Sequence, residues 1–302
     1  MGLTESGTRK KTPGVSPELQ KAMDYFKEKE NLLSPPIIRA AYSDRMAWIL
    51  ASMAHLAYDR FEDGGDALKL FNAKLQGGGF ELIKTFFSKE TDTQAFLAKS
   101  NDGYAVLAFR GTEISKREDM KIDIEAMKVS VLDGRVHSGF RIAYESVAKE
   151  IEESVLKLKD IPLYITGHSL GAALATVATQ RLEHNPRIRE IIAACYTFGS
   201  PRVGDNHYDI EFKSPIYRVV NTTDIVTIIP LLAMGYIHIG DVRFLGNKDG
   251  DFRRGIPFFQ RWYLFGLTMF KFFSPVIGAH AIVEYRRKLE AIAQKRNKRF
   301  GH

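Results

Sequence analysis

Short apolar runs alternate with helical stretches through the middle of this chain of 302 residues. The apolar runs are "IPLYITG", "IIAACYTFGSP" and "SPIYRVVNTTD", and the main helical stretches are "GFRIAYESVAKEIEESVLKLKD" and "SLGAALATVATQRLEHN". Short apolar strands that alternate with helices are typical of a parallel sheet covered on both faces. We therefore predict an α/β fold with a mainly parallel central sheet and helices on both faces.

Two helices and a hairpin are predicted upstream of this alternation. The stretches "SPELQKAMDYFKEKENL" and "SDRMAWILASMAHLAYDRF" have helical character, and Ser43 is a candidate N-cap of the second. Apolar residues recur at helical spacing in that second stretch, so we expect it to pack on the sheet. The segment "TQAFLAKSNDGYAVLAFRGT" predicts a hairpin because two alternating runs flank a turn rich in Asn and Gly.

Composition bounds the domain organisation. With 45% hydrophobic residues, the chain can bury a large core, and we predict one domain over residues 1–302 with a disordered lead over residues 1–16. The chain has one cysteine, Cys195, which excludes an intramolecular disulfide. Its apolar surroundings indicate a buried strand.

The first twenty residues bear on location. They are polar and basic without an apolar core, so they do not fit a secretory signal peptide, and we predict a cytoplasmic location. Secretion by a route independent of a signal peptide stays open. The start "MGLTES" fits the pattern for myristoylation of Gly2, but so short a pattern also arises by chance, and this modification stays open too.

The net charge is +7, and much of the basic excess lies near the C-terminus. Two interpretations stay open: a patch for peripheral contact with an anionic membrane, or a solvated helix face with a frayed tail. No recognised nucleic-acid-binding motif accompanies the charge, so we predict no nucleic-acid partner. The basic residues are Arg286, Arg287, Lys288, Lys295, Arg296, Lys298 and Arg299.

The pattern Gly-x-Ser-x-Gly at residues 167–171 is the strongest functional signal. The pattern alone is loose, but here Ser169 follows an apolar strand and opens an alanine-rich helix, as in a nucleophile elbow. Gly167 and Gly171 have no side chains, so strand and helix can approach closely. We expect Ser169 in a strained turn with its hydroxyl exposed.

A serine nucleophile needs a histidine base and an acid that orients it. In such sheets both follow the serine, with the acid after a strand end and the histidine in a late loop. Asp224 and His280 fit this order, while Asp205 and Asp241 are weaker rivals for the acid. The remaining histidines considered are interpreted as structural: His55, His137, His168 and His238.

Four segments together resemble the class 3 lipases, the family of the filamentous-fungal triacylglycerol lipases. They are "LAFRGT", "VHSGF", "YITGHSLGAALA" with "YTFGSPRVGD", and "VVNTTDIVTIIP" followed by "HAIVEY", in this order between residues 107 and 285. The resemblance implies an α/β-hydrolase fold, a triad of Ser169, Asp224 and His280, and no metal or organic cofactor. It also implies an oxyanion hole formed by the backbone N–H groups of Leu170 and Thr112.

Two further regions bear on the substrate. The family's lid falls on residues 113–129, and its first part is mostly charged here. Opening such a lid would expose little apolar surface, so the sequence does not clearly predict strong activation at an oil interface. The charged lid therefore favours a broader carboxylesterase or a phospholipase over a pure triglyceride lipase. Residues 256–278 form an aromatic-rich flap in which Phe258, Trp262 and Phe265 are candidate acyl-binding residues. The alternative for the flap is a helix packed under the active-site loops.

These observations predict a serine carboxylic-ester hydrolase that cleaves acyl glycerides or similar lipid esters through an acyl-enzyme intermediate. Two alternatives stay open within enzymology: a phospholipase A or lysophospholipase, and a broad carboxylesterase. A third alternative is a catalytically silent member of the family that binds lipid or protein. The sequence does not indicate acyl length, head group or oligomeric state.

Overall fold

A computed structural model describes residues 16–26, 41–111, 132–133, 136–205, 212–222, 224, 226–228, 236–246, 251–253 and 278–300. The predicted lid over residues 113–129 and residues 256–277 of the predicted flap lie outside the described residues, as does all of the predicted lead except Ser16. None of the described helices is long and apolar enough to cross a membrane.

The elements alternate along the chain as follows. The helices are α1 (Pro17–Met23), α2 (Asp44–Leu56), α3 (Gly65–Gly77), α4 (Ser138–Leu156), α5 (Leu170–Leu182), α6 (Pro186–Ile191) and α7 (Ile282–Phe300), with 3₁₀ turns at Phe61–Asp63 and Val226–Ile228. The strands are β1 (Phe80–Ser88), β2 (Thr93–Ser100), β3 (Ala105–Phe109), β4 (Leu132–Asp133), β5 (Val136–His137), β6 (Leu163–His168), β7 (Ile192–Phe198), β8 (Ile216–Asn221), β9 (Asp241–Leu245) and β10 (Phe252–Arg253).

The main sheet has eight strands in the order β1-β2-β3-β6-β7-β8-β9-β10. The five central strands from β3 to β9 run parallel, while β1, β2 and β10 pair antiparallel at the two edges. This confirms the predicted α/β fold, and the pairing of β2 with β3 confirms the predicted hairpin. The carboxyl ends of the parallel strands share one edge of the sheet, and that edge is where such folds place their sites.

Both faces of the sheet are covered, as the continuous apolar runs predict. Val106 and Ala108 of β3 point into the core beneath α2 and α7, whereas Leu107 and Phe109 point into the core beneath α4 and α5. The strand alternates between two cores because successive side chains in a β-strand point to opposite faces. A strand buried on both faces therefore carries apolar residues at every position.

Helix α2 forms as its sequence predicts. The Ser43 hydroxyl accepts a hydrogen bond from the Met46 N–H at 3.3 Å, a cap worth about 1 kcal/mol of stability. The helix packs on β6, β3 and β7, which confirms the expected contact with the sheet. The residues at helical spacing are all buried: Met46, Ile49, Leu50, Met53, Leu56 and Ala57.

Helix α3 and strand β1 were not predicted from the sequence. Strand β1 lies at the edge, with a register shift between Leu82 and Lys84, so its burial does not alternate regularly. Helix α3 begins at Gly65 without a side-chain N-cap, so the usual start signal is missing. Both elements are stabilised by their neighbours rather than marked by a strong local pattern.

Most of the basic side chains near the C-terminus have partners within the protein. Lys288 is buried, at 5% exposure, and the Arg286 guanidinium lies 4.3 Å from the centre of the Tyr25 ring. Arg296 pairs with Asp44 and Lys295 with Asp251, at 2.7 and 2.8 Å. Arg287 pairs with Glu284 at 2.8 Å. Arg286, Lys288, Lys295 and Arg296 therefore connect α7 to the rest of the fold, whereas Arg287 pairs within the helix and Lys298 is exposed.

The N-terminal segment docks on α2 through a half-buried histidine. His55 accepts a hydrogen bond at Nδ1 from the Tyr25 hydroxyl, at 2.9 Å. Burial, reinforced by the positive charge of Arg286, lowers the pKa of His55 from 6.5 to about 4. His55 is therefore a structural residue, as predicted, and it is neutral in the folded protein near pH 7.

We expect His55 to weaken the fold in acid. The unfolded chain binds the proton more tightly between pH 6.5 and about 4, so the histidine's contribution to stability falls as the pH falls through this window. Across this whole window, the free energy of unfolding should fall by about 3 kcal/mol through His55. Urea unfolding at pH 7 and pH 4.5 should show a smaller loss for His55→Gln than for the wild type. An equal loss in both proteins would contradict the assignment.

Candidate active site

The turn between β6 and α5 has the geometry of a nucleophile elbow. Ser169 adopts φ 57° and ψ −126°, a region that residues with side chains rarely occupy, so the predicted strained turn is confirmed. A Cβ atom on Gly167 would collide with the Gly171 carbonyl group, and one on Gly171 would collide with the Phe109 carbonyl oxygen. The two glycines therefore allow the close approach of β3, β6 and α5.

Ser169 is not exposed, although the sequence predicts an exposed hydroxyl. The residue is 2% exposed, and the imidazole of His280 lies directly against it. The elbow presents the hydroxyl at the edge of the sheet, but the loop before α7 then covers it. That cover comes from a residue more than one hundred positions away, which a local pattern does not reveal.

A chain of hydrogen bonds joins three distant residues at this edge. His280 Nε2 lies 2.8 Å from Ser169 Oγ, and His280 Nδ1 lies 2.8 Å from Asp224 Oδ2. Because a carboxylate only accepts, Nδ1 carries the proton and donates it to Asp224. Nε2 is then free to accept the serine proton. His280 is 3% exposed and Asp224 is 1% exposed.

Gly199 shapes the space beside His280 and Asp224. It lies at the carboxyl end of β7 with φ +58°, a conformation that favours glycine. A Cβ atom there would lie 2.8 Å from Asp224 Oδ2 and 3.1 Å from His280 Nδ1. Any side chain at this position would push the two groups apart.

The carboxylate of Asp224 has two further donors. The Tyr285 hydroxyl donates to Oδ2 at 2.5 Å, and the Val226 N–H donates to Oδ1 at 2.9 Å. The Asn221 N–H in turn donates to the Tyr285 oxygen at 3.0 Å, which orients the hydroxyl. Burial and the neighbouring carboxylate raise the pKa of Tyr285, so the hydroxyl keeps its proton. Asp224 is therefore fixed on both oxygens.

A buried cation anchors the backbone next to His280. Lys288 Nζ donates to Asn221 Oδ1 and to the Gly246 carbonyl oxygen, both at 2.9 Å. The Asn221 side-chain amide donates to the Ala279 carbonyl oxygen at 2.9 Å. These bonds connect α7, the end of β8 and the residue before His280, so they restrict where the imidazole can lie.

His168, inside the elbow, is a hydrogen-bonding residue. Its Nε2 donates to the His280 carbonyl oxygen at 2.6 Å, and its Nδ1 accepts from the Tyr58 hydroxyl at 2.9 Å. Burial, together with the nearby His280, lowers the pKa of His168 well below its usual range. With both ring nitrogens engaged, His168 supports the backbone of His280 and has no free nitrogen to act as a base.

The structure describes one side of the predicted oxyanion hole. Leu170 is the first residue of α5, and the N–H groups of a first helical turn have no acceptor within the helix. Its N–H is thus available for an oxyanion. The second predicted donor, Thr112, lies just outside the described residues.

Arg110, two residues before Thr112, ties the end of β3 to the loop after α2. Its guanidinium donates to both carboxylate oxygens of Glu62, at 2.5 and 2.9 Å, and to the carbonyl oxygens of Ala57 and Asp59. Burial alone would raise the pKa of Glu62, but the hydrogen bonds from Arg110 reverse the effect and lower it. The pair is therefore ionised at neutral pH and holds the backbone that leads to Thr112.

The structure brings together Ser169, Asp224 and His280. Asp224, rather than either rival acid, lies at Nδ1 of His280, and Asp241 is exposed at the start of β9. The predicted acyl-binding residues Phe258, Trp262 and Phe265 lie outside the described residues. Across the described ranges, no group of three or more His, Cys, Asp or Glu side chains could hold a metal ion.

Sequence reasoning missed the residues around the triad. Tyr285 lies within "HAIVEY" and follows His280 on α7, but nothing local indicates that it reaches Asp224. Lys288 looks like one more member of a basic tail. Tyr58 follows α2 and gives no signal for its bond to His168. Each of these contacts joins segments that are far apart in the chain.

The sheet has eight strands and is mainly parallel, and the serine lies at the elbow after β6. The aspartate and the histidine follow later strands. These features define the α/β-hydrolase class. A family model described as Lipase (class 3) matches residues 106–234, which include Ser169 and Asp224. Over these residues the chain is similar to the class 3 lipases, and the resemblance noted from the sequence is confirmed.

Relatives and solved structures agree with this assignment. The lipase of Rhizomucor miehei is 33% identical over 183 residues, which are 57% of this chain and 50% of that protein. The secreted mono- and diacylglycerol lipase A of Penicillium cyclopium is 31% identical over 157 residues, 49% of this chain and 50% of the relative. The chain thus spans about half the length of these relatives.

The fold is also that of a solved lipase. A triacylglycerol lipase whose catalytic centre is described as a serine protease triad superposes with a TM-score of 0.58. It is 25% identical and matches 68% of this chain and 82% of its own.

The predicted cytoplasmic location is wrong. The relatives of Penicillium cyclopium and Fusarium solani are named as secreted lipases, which points to an extracellular location instead. The prediction depended on the polar composition of the first twenty residues alone.

Proposed function

We propose that this chain hydrolyses carboxylic esters of glycerol with fatty acids, with Ser169 as the nucleophile. The observation that carries the proposal is the continuous hydrogen-bonded chain from Ser169 Oγ through His280 to Asp224. Relatives named as triacylglycerol, monoacylglycerol and diacylglycerol lipases support the choice of substrate. A serine, a histidine and an acid in this arrangement are what nucleophilic attack on an ester requires.

The proposed reaction follows from the protonation states. His280 accepts the Ser169 proton at Nε2 while the serine oxygen attacks the ester carbonyl carbon, and Asp224 stabilises the imidazolium through Nδ1–H. The Leu170 N–H donates to the oxyanion. His280 then returns the proton to the alcohol, which leaves. Water attacks the acyl-enzyme with the same base and releases the fatty acid.

Two measurements test the proposal directly. Titration of released acid should show hydrolysis of tributyrin and of longer triacylglycerols by the intact chain. A fluorophosphonate ester should abolish that activity, and mass spectrometry should locate the adduct on Ser169. Labelling of a different serine, with activity lost, would overturn the assignment of the nucleophile while preserving that of a serine hydrolase.

The described residues do not favour the phospholipase alternative. One support for it was a basic C-terminal helix, and most cations of α7 are instead paired or buried. The other support, the charged lid over residues 113–129, lies outside the described residues. A silent binding protein has no need of a histidine held between a serine and an aspartate by hydrogen bonds on both ring nitrogens. We therefore propose the glyceride hydrolase alone, with contact to an anionic membrane left to measurement.

Tyr285 should act as a positioning residue for the proposed reaction. Tyr285→Phe removes the hydroxyl that donates to Asp224 and leaves the packing of the ring unchanged. We expect kcat to fall about tenfold with KM nearly constant, because one hydrogen bond to a charged group is worth about 1.5 to 3 kcal/mol. Tyr144→Phe, at an equally buried tyrosine of α4, is the control and should keep the wild-type kcat. Equal effects in both variants would indicate a general loss of stability.

A further inference from the structure

A cavity of about 340 Å³ opens beside the first turn of α5. Leu170 and Leu174 of α5, with Ala143 of α4, form its apolar side. The polar side comes from the turn between β1 and β2, the first two residues of β2, the loop after α2 and the residue after β3. It consists of Arg60, Glu62, Thr91, Asp92, Thr93, Gln94 and Arg110. The volume would hold on the order of ten water molecules, so it suits a small polar group rather than a whole lipid.

The cavity adjoins the site of the proposed reaction. Strand β2 runs antiparallel to β3, so its first residues lie beside the end of β3, and the Gln94 carbonyl oxygen accepts from the Arg110 N–H at 2.9 Å. Gly111 lines the cavity from the segment that leads to Thr112, and Leu170 lines it from the elbow. Both predicted oxyanion segments therefore border the same space. An ester bound at Ser169 can extend one of its two arms into it.

The charges of the lining compensate one another. Arg110 makes two hydrogen bonds with Glu62, and Arg60 pairs with Asp63 at 2.9 Å. Asp92 accepts from the Gln94 side-chain amide at 2.8 Å. A phosphate group requires cations that are not already neutralised. This lining suits a neutral polar group instead.

Two hydroxyl groups of the lining, those of Thr91 and Thr93, face α4, where Ser146 contacts Thr91 from outside the lining. Thr93 Oγ1 and Ser146 Oγ both donate to the Ala143 carbonyl oxygen. Thr91 Oγ1 lies 2.9 Å from Thr93 Oγ1 and 2.8 Å from Ser146 Oγ. Each hydroxyl has one proton, so Thr91 donates to one of its neighbours and keeps capacity to accept. The half-buried Thr91 oxygen can therefore accept a hydrogen bond from a hydroxyl group in the cavity.

We propose that this cavity binds the alcohol part of the ester and that the alcohol is a neutral group with several hydroxyls, such as glycerol. The proposal rests on the proposed hydrolysis and adds to it a selectivity for the leaving group. An acyl chain is the wrong occupant, because it would remove these hydroxyls and amides from water without replacing their hydrogen bonds. Thr91 and Asp92 then determine specificity, while the triad performs the reaction on any reachable ester.

The test compares esters that share one acyl chain and differ only in the alcohol. The wild type should have a kcat/KM at least tenfold higher for the glycerol monoester than for the methyl ester, with the corresponding lysophospholipid below the glycerol ester. In Thr91→Val, which keeps the shape but loses the hydroxyl, the ratio of glycerol to methyl ester should fall threefold to tenfold, the value of one hydrogen bond. Ser146→Ala is the matched control, because Ser146 contacts Thr91 from outside the lining, and its ratio should equal that of the wild type.

The outcomes separate the two proposals. Hydrolysis of the methyl and glycerol esters at equal kcat/KM, or an unchanged ratio in Thr91→Val, would overturn the alcohol site and leave the proposed hydrolysis standing. A preference for the lysophospholipid would overturn the neutral character of the site. If a second series of methyl esters with different acyl chains showed a changed chain-length preference in Thr91→Val, the cavity would hold the acyl arm and the alcohol site would be overturned. Hydrolysis of none of these esters would overturn the proposed function and this proposal with it.

Discussion

Replacement of Ser169 by alanine should lower kcat for glyceride hydrolysis by about 10⁴- to 10⁶-fold. The loss is this large because the serine oxygen forms the covalent intermediate and no other group in the described site replaces it. KM should change little, since the alanine leaves the surrounding contacts in place. The residual rate should come from the Leu170 donor and from binding alone.

Ser169→Ala should remove the hydroxyl without disturbing the fold. Ser169 already lies at φ 57°, and alanine at this position has the same backbone strain, so the fold should be retained. Ser154→Ala on α4 removes another buried hydroxyl, which donates to the Glu150 carbonyl oxygen, and should keep wild-type kcat. Steady-state kinetics with fluorophosphonate titration of active sites checks both variants. A fall of less than a hundredfold in Ser169→Ala would remove the nucleophile assignment.

Asp224→Asn should lower kcat by about 10³- to 10⁴-fold with the fold intact. The Asp224 carboxylate accepts from His280 Nδ1, so Nε2 faces Ser169 without a proton. An asparagine amide can turn its N–H₂ group toward Nδ1, which then accepts, and the proton moves to Nε2. A histidine protonated at Nε2 is no longer able to take the serine proton.

The rival acids supply the controls for this prediction. Asp205→Asn and Asp241→Asn change the same functional group at the two positions that the sequence alone also allowed. Both variants should retain kcat within about twofold, since Asp224 already occupies Nδ1 of His280 and fixes its tautomer. If Asp205→Asn lost activity as severely as Asp224→Asn, the assignment of the orienting acid would have to be changed.

Local pattern was enough for several elements because their causes are local. The spacing of apolar residues in α2 and the capping hydroxyl of Ser43 depend on neighbours within one or two turns. The turn between β2 and β3 depends on the φ angles that Asn and Gly tolerate. At the elbow, the absence of side chains at Gly167 and Gly171 is visible in the sequence, and the structure gives its reason in the contacts with β3 and α5.

Order along the chain was enough to nominate the acid and the base, but not to separate them from rivals. Asp205 and Asp224 both follow strand ends, and a one-dimensional sequence does not contain the distance from either carboxylate to His280. The same limit affected the basic residues of α7. Lys288 and Lys298 look alike in the sequence, yet one is buried against Asn221 and the other is exposed.

The sequence by itself determined the α/β class, the hairpin, helix α2, the elbow at Ser169 and the resemblance to the class 3 lipases. Only the tertiary structure decided that Asp224 orients His280, that Tyr285 and Lys288 fix them, and that a polar cavity lies beside Leu170. The physical reason is the range of the interactions. Backbone propensity, capping and periodicity act between residues a few positions apart, whereas a hydrogen bond or ion pair depends on a distance of about 3 Å that only the folded chain sets.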